Sequence, residues 1–482
     1  MASFFERLYP YCPIPLQNLG ISLYGRYWRR ERFGQEYEKT VREFRERDHW
    51  SADQMGDYLN SALRNVVGRA FDAPYYREAW TAAGLLESDL SEITVGTLPR
   101  LPVLPKQDLR GTPLAFVSNG GRRPGRLRSY LTSGSTNTPI RTFCTRASHQ
   151  RFVAAREVRS FGWAGTSVQK PRAMIGGRMV VPKGAAKPPF YRYNAIERQV
   201  YFSAYHIAPA HIANYVEGMN RYQPEVVTGY AFSQFLIANM MRDQGLSFDY
   251  RPVAAITSSE KLTLPMKRTI RETWGCRAWE EYGCVENCGL ATECEHGRLH
   301  VSPDFGILEI VDEQNQPVPP GVNGRILCTG LLNDAQFLVR YDIGDMGSWS
   351  EEPCPCGRNH LPVLQEVAGR LEDVVVGPDG RQMVRFHGIF IGLPYVLEGQ
   401  VVQQQVDRFQ VRVVTEEGFG EEQIREIRRR FEQRLGEVHV TVCKVQELER
   451  NARGKLQAVI SHVKTPRTSG HPHSGVGDGC NR

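Results

Sequence analysis

Three cysteines and one histidine of this chain, Cys294, His300, Cys354 and Cys356, have the types and local spacing of metal ligands. Three thiolates and one imidazole suit a tetrahedral Zn²⁺ ion. The two groups lie far apart in sequence, and His296 competes with His300 for the fourth place. Cys284 and Cys288 stand close by and read as small buried residues, and a redox pair at Cys354 and Cys356 is the alternative reading. A second group is rich in hydroxyls. Thr132-Ser133-Gly134-Ser135-Thr136 follows the apolar pair Tyr130-Leu131. Such a loop can wrap N–H and O–H groups around phosphate oxygens. Three later segments carry carboxylates, phenols and cations: Glu281-Tyr282-Gly283-Cys284-Val285-Glu286, Tyr341-Asp342-Ile343-Gly344-Asp345 and Arg450-Asn451-Ala452-Arg453-Gly454-Lys455, with Gly369-Arg370-Leu371-Glu372-Asp373 between the last two.

Residues of these kinds need rigid elements to aim them, and the periodicity of the chain supplies candidates. Residues 1–35 are aromatic and basic and broken by prolines. Residues 36–80 read as helical, with Tyr37, Val41, Phe44, Tyr58, Leu59, Leu63 and Val66 at helix-like intervals. Pro99, Pro102 and Pro105 mark a connector to Lys106, and a helix is expected over 145–160. From residue 171 strands alternate with helices. Ala173–Ile175, Glu225–Val227, Val253–Ile256 and Arg277–Glu280 read as strands. A helix is expected over 233–240 and another over 265–274, the latter capped near Thr263 and stopped by Gly275. This alternation predicts an α/β doubly wound sheet, with ligand loops at the carboxyl ends of its strands. Ser258, Ser259 and Tyr282 to Glu286 fall there. Ile307–Val311 and Arg325–Cys328 flank a turn and predict a β-hairpin in a β-rich subdomain. A smaller α+β unit follows, with strands at 374–376, 410–414 and 438–445 and a helix near 421–435. The boundaries expected are 1–370 for a large domain, 371–464 for a small mobile C-terminal domain and 465–482 for a disordered tail.

The bulk composition is that of an ordinary globular protein, with 41% hydrophobic and 23% charged residues. No apolar run approaches the roughly 18 residues of a membrane span, and the N-terminus is not a secretory signal. A cytoplasmic protein is therefore expected, and its eleven cysteines are not read as a disulfide framework. The net charge is +7. Basic clusters at Arg26, Arg29, Arg30, Arg32 and Arg42, and at Arg425, Arg428, Arg429, Arg430 and Arg434, read first as solvated helix faces. Attraction to anionic substrates, coenzyme A or a membrane surface is the second reading. No nucleic-acid motif is present.

The order and spacing of the hydroxyl loop, the 281–286 segment, the 341–345 segment, Arg370 and Lys455 resemble the adenylate-forming enzymes. Within them the chain is most similar to the phenylacetate–CoA ligase family, in particular the branch found in capsule and exopolysaccharide clusters. The likeness runs from about residue 20 to about residue 463. It implies that Thr132, Ser133, Gly134, Ser135 and Thr136 form the phosphate loop of an ATP site. Asn137 and Thr138 then replace the Gly and Lys usual in the family. It implies that Ser258 and Ser259 lie beside the adenine, that Glu281, Tyr282 and Gly283 form the adenine-stacking segment, and that Glu286 holds Mg²⁺. Val285 stands where the family usually has Thr or Ser. Asp345 corresponds to the carboxylate that accepts both ribose hydroxyls, Arg370 to an arginine touching the nucleotide, and Glu372 and Asp373 to the pivot of the C-terminal domain. Lys455 corresponds to the catalytic lysine of adenylation. Some members carry a structural zinc at the Cys294, His300, Cys354, Cys356 positions.

The resemblance implies ATP-dependent activation of a small-molecule carboxylic acid to an acyl-adenylate with release of pyrophosphate. Acyl transfer then goes to coenzyme A or another thiol, an amine or a hydroxyl. The alternative is a degenerate homologue that binds nucleotide without turnover. Gly229, Tyr230, Ala231 and Phe232 are placed near the acyl group. The acid, the acceptor and the choice between monomer and homodimer are not legible.

Overall fold

The structure is a computed structural model that describes residues 8–119, 127–131, 140–182, 187–207, 209–370, 375–378, 382–383, 389–390, 393–448 and 458–463. The described residues up to Arg370 form one compact unit, and those from Val375 to Val463 form a second.

The first unit opens with helices α1 (Ile14–Arg32), α2 (Gln35–Arg47), α3 (Ala52–Phe71) and α4 (Pro74–Ala82). The prolines expected to break residues 1–35 instead start α1. Pro13 and Pro15 occupy its cap and first turn, where a missing N–H costs nothing. A reciprocal Ser51 and Gln54 cap starts α3. Its apolar face, Met55, Leu59, Leu63 and Val66, is buried in the main core. Two short helices follow, α5 (Glu87–Leu90) and α6 (Lys106–Gly111). Then comes an antiparallel pair, β1 (Arg128–Leu131) and β2 (Arg141–Cys144). Helix α7 (Arg146–Arg156), capped by Thr145, runs into a π-helical turn at Glu157–Phe161.

The α/β region comprises β3 (Arg172–Gly176), β4 (Tyr191–Asn194), β5 (Gln199–Ser203), α8 (Ile212–Tyr222), β6 (Val226–Tyr230), α9 (Ala231–Asp243), β7 (Ala254–Ser258), α10 (Leu264–Trp274) and β8 (Arg277–Gly283). Helix α10 carries both expected signals. The Thr263 side chain accepts from the Met266 N–H, and Gly275 closes the helix at φ +71°. Six further strands follow: β9 (Leu290–Glu293), β10 (Leu299–Val301), β11 (Gly306–Val311), β12 (Gly324–Gly330), β13 (Tyr341–Trp349) and β14 (Val363–Arg370). All twelve strands from β3 to β14 make one sheet, in the order β11-β12-β13-β14-β10-β9-β8-β7-β6-β3-β5-β4. The doubly wound and β-rich parts are thus continuous. Strand β8 is the join. Residues Arg277–Glu280 pair parallel with β7, and Glu281–Gly283 pair antiparallel with β9.

The second unit contains β15 (Val375–Val376), β16 (Gln382–Met383), β17 (Val396–Gln405), β18 (Arg408–Thr415), α11 (Glu421–Leu435), β19 (His439–Lys444) and β20 (Val459–Ser461). Its four-stranded sheet runs β19-β18-β17-β20. Phe409, Val411, Ile427 and Phe431 pack in a core of its own. Among the described residues no helix is long and apolar enough to cross a membrane.

Candidate nucleotide site and metal centre

The carboxyl ends of the parallel strands collect the first set of candidate residues. Strands β6 and β7 end in register, Tyr230 opposite Ser258. Ser259 follows at φ +69°, a left-handed conformation that turns the chain sharply out of the sheet. Gly229 precedes Tyr230 at φ +133°, and a Cβ there would meet the Ile175 carbonyl oxygen at 1.9 Å, so only glycine fits. Glu260 caps the start of α9 by accepting from the Phe232 N–H at 3.0 Å.

Glu281, Tyr282 and Gly283 sit where β8 changes partners. The Tyr282 hydroxyl donates to Asp345 Oδ2 at 2.8 Å. Burial, and then the Asp345 charge, push this phenol well above its ordinary pKa, so it stays a donor. Glu281 forms an ion pair with Arg156 at 3.3 Å. Glu286 is buried, and its Oε1 accepts from the Tyr341 hydroxyl at 3.1 Å. Burial and the Glu286 charge raise the Tyr341 pKa in the same way. Glu286 Oε2 has no hydrogen bond among the described residues. Lys106 Nζ donates to the Ile343 carbonyl at 2.9 Å and lies beside Gly344. On β14, Arg370 is the backbone partner of Asp345. Cys284 and Cys288 approach to 3.6 Å between sulfurs, with their thiol pKa values pushed well up.

The second set also converges. One donor atom each from Cys294, His300, Cys354 and Cys356 lies within 4.8 Å of all the others. His300 completes the group that His296 competed for. The Cys294 and Cys354 sulfurs are 3.6 Å apart, and Cys356 Sγ is 3.3 Å from His300 Nε2. A disulfide would need sulfurs about 2.05 Å apart. Ligands about 2.3 Å from a tetrahedral centre would stand roughly 3.8 Å apart. His300 Nδ1 lies 3.0 Å from the Leu361 carbonyl oxygen. A carbonyl can only accept, so Nδ1 carries the proton and Nε2 turns its lone pair to the thiols. Burial also lowers the His300 pKa, which favours the neutral ring that a metal needs. This Cys₃His group has the donors and spacing to hold a metal ion.

Comparison with known proteins places the chain among relatives. Residues 376–462 match the CapK C-terminal domain. The chain is 24% identical to Protein CapK of Staphylococcus aureus over 424 residues, covering 84% of this chain and 88% of that protein. It is 25% identical to the phenylacetate-coenzyme A ligase of Thermus thermophilus, over 65% of this chain and 70% of that one. Among solved structures it is similar to a 2-hydroxyisobutyryl-CoA ligase in complex with an acyl-AMP, with a TM-score of 0.68 and 21% identity over 86% of this chain and 91% of that one. Residues 376–462 carry the CapK C-terminal domain, and the chain as a whole is similar to CapK and to phenylacetate–CoA ligase, with the fold of an acyl-CoA ligase.

Several residues expected to act in a CapK-like chain lie outside the described residues: Thr132, Ser133, Gly134, Ser135 and Thr136 with Asn137 and Thr138, then Glu372, Asp373 and Lys455, and the tail from 465. Of Arg370 the backbone alone is described. Sequence reasoning missed Arg156 and Lys106 as neighbours of the quoted segments. Arg156 stands on a helix with no motif spacing to either. Lys106 stood only in a proline-marked connector. Tyr341 was inside a quoted segment, but its pairing with Glu286 spans 55 residues and has no local signal.

Proposed function

We propose that this protein activates a carboxylic acid with ATP, forming an enzyme-bound acyl-adenylate and pyrophosphate, and then passes the acyl group to a thiol, amine or hydroxyl acceptor. Coenzyme A is the acceptor favoured by the relatives' names. The observation that carries the reading is the phenol-to-carboxylate pairing of Tyr282 with Asp345 at the join of the sheet, beside a second buried pair, Tyr341 with Glu286. A carboxylate held at one oxygen by a phenol is pre-aimed and keeps acceptor capacity for a ligand. Asp345 is assigned to the ribose hydroxyls and Tyr282 with Gly283 to the adenine face. Ser258, Ser259 and Glu281 border that face, and Arg370 is assigned to the nucleotide. Glu286 fits Mg²⁺, because its Oε2 lacks a hydrogen bond from the described residues and hard cations take carboxylate oxygens. The cation would offset charge on the phosphates. Thr132–Thr136 are assigned to the β- and γ-phosphates and Lys455 to the α-phosphate.

The Cys294, His300, Cys354 and Cys356 group is assigned to Zn²⁺. Four protein ligands leave no open position, so the ion would be structural. Val285 favours a second reading, a nucleotide-binding homologue without turnover. Its apolar side chain is 38% exposed where a hydroxyl would serve the α-phosphate.

Pyrophosphate release across a panel of carboxylic acids separates the two readings: release with at least one acid supports the ligase, and ATP binding without release with any acid supports the homologue. Lys455→Ala sharpens the test. It should slow adenylate formation by about two to three orders of magnitude and leave the protein able to consume a supplied acyl-adenylate. Equal losses in both half-reactions would remove the lysine from the adenylation step.

A further inference from the structure

Helix α1 is built inside out. Its buried positions include Gln17, Ser22 and Gly25. They fasten it to β4, the edge strand of the large sheet. Gln17 accepts from the Arg192 guanidinium, and Asn18 accepts from the Tyr193 N–H at 3.0 Å. Ser22 accepts from the Ala195 N–H at 3.0 Å, and Gly25 lies so close to the Asn194 side chain that a Cβ would overlap it. The opposite face is apolar. Leu16, Leu19, Leu23 and Tyr27 recur at three- and four-residue intervals, one face of a helix. With Tyr24 they are 49% to 63% exposed. A helix that hydrogen-bonds inward and turns its leucines outward has no reason to do so in water alone.

Charge says what meets that face. From Leu8 to Arg30 the sequence contains no Asp or Glu. Arg26, Arg29 and Arg30 are exposed, and none forms an ion pair among the described residues. The neighbouring Glu31 is buried and turned to Arg128, and Arg32 is held by Glu197 at 2.6 Å. The outer face therefore offers leucine and tyrosine side chains next to guanidinium groups that no carboxylate of the described residues neutralises. A second copy of this face would bring arginines and no carboxylates. An anionic bilayer surface offers both complements, acyl chains for the leucines and headgroup phosphates for the arginines, and tyrosine favours that boundary.

We infer that α1 is a membrane-surface docking helix that lays its Leu16–Tyr27 face into an anionic lipid interface without crossing it. The helix is about 28 Å long and is pinned along β4, so it would seat the whole first unit with one sheet edge toward the lipid. The inference stands independently of the proposed acid activation.

Vesicle flotation of the full chain tests it, with phosphatidylcholine alone and with about one lipid in three replaced by phosphatidylglycerol. The protein should float with the anionic vesicles, less so at high salt, and remain free with the neutral ones. Leu19→Glu with Leu23→Glu should abolish flotation. Replacing Arg26, Arg29 and Arg30 by Gln should weaken it about fivefold for each arginine. Leu264→Glu, on a leucine 79% exposed elsewhere, should change nothing. Thermal melting checks each variant, and Leu23→Ser substitutes if the glutamates disturb the fold. No flotation with anionic vesicles overturns the inference, as does flotation that the leucine and arginine variants leave intact. A dimer in solution that Leu19→Glu with Leu23→Glu makes monomeric, with no lipid binding, would give the face to a second copy instead.

Discussion

Two phenols do the positioning at the residue scale. Tyr282 and Tyr341 are kept protonated by burial and by the carboxylate each one faces, so each holds one oxygen of its acid in place. Carboxylates fixed in this way lose little freedom when a ligand arrives, which is why the pairs support a binding site better than the motif letters do. The assignment of Asp345 to the ribose hydroxyls has a direct consequence. Asp345→Asn keeps the shape and an acceptor for Tyr282 but loses the charge and one acceptor oxygen. ATP affinity should fall about tenfold, since a hydrogen bond to a charged group contributes roughly 1.5–3 kcal/mol. The melting temperature should stay within about 3 °C. Isothermal titration decides it, and unchanged ATP affinity in the folded variant would take Asp345 out of the site. The two acids were legible because each lies in a short segment of recognisable spacing, Glu286 just past the end of β8 and Asp345 within β13. Their phenol partners were legible only as letters, because cross-strand pairing is not encoded locally.

At the scale of elements, regular amphipathic pieces were legible and joins were not. Helix α10 is bounded by a threonine cap and a left-handed glycine, α11 by its apolar repeat, and the β11–β12 hairpin by its turn residues. Strand β8 was read only to Glu280, because nothing local marks the place where its partner changes from parallel β7 to antiparallel β9. Helix α1 escaped because its periodicity is reversed and its prolines look like breakers. The π-turn after α7 is another join. It buries Arg159, which binds Asp304 through two nitrogens at 3.1 and 3.2 Å and Asp48 at 2.7 Å. Trp163 just beyond it contacts the His300 ring edge-on at 6.0 Å. The Cys₃His group thus ties β10 and the loop before β14 to the helical layer. Zinc there should act as a staple. Metal analysis should give about one zinc per chain, and Cys354→Ala should lose it and cost roughly 3–5 kcal/mol. Metal-free protein with an undiminished melting temperature would sink the assignment.

Among the described residues, each unit packs around hydrophobic clusters of its own. Met55, Leu63, Phe116, Leu308 and Tyr341 belong to the main core of the first unit, and Phe409, Val411 and Phe431 to that of the second. Each core closes on its own sheet. The proposed adenylate chemistry in two half-reactions is compatible with units that each have a core of their own. The same separation should be visible in stability. The Cys₃His group lies wholly within the first unit, so removing its metal should destabilise that unit alone. Phe409 lies wholly within the second, where truncation to alanine leaves a cavity costing about 3–5 kcal/mol. Calorimetry of the full chain should therefore resolve two transitions. A zinc chelator should lower one by roughly 5–10 °C and leave the other in place, and Phe409→Ala should lower only the second, by about 10 °C or more given its smaller size. If both perturbations shift one shared transition, the units unfold as a single cooperative body and the second has no stability of its own.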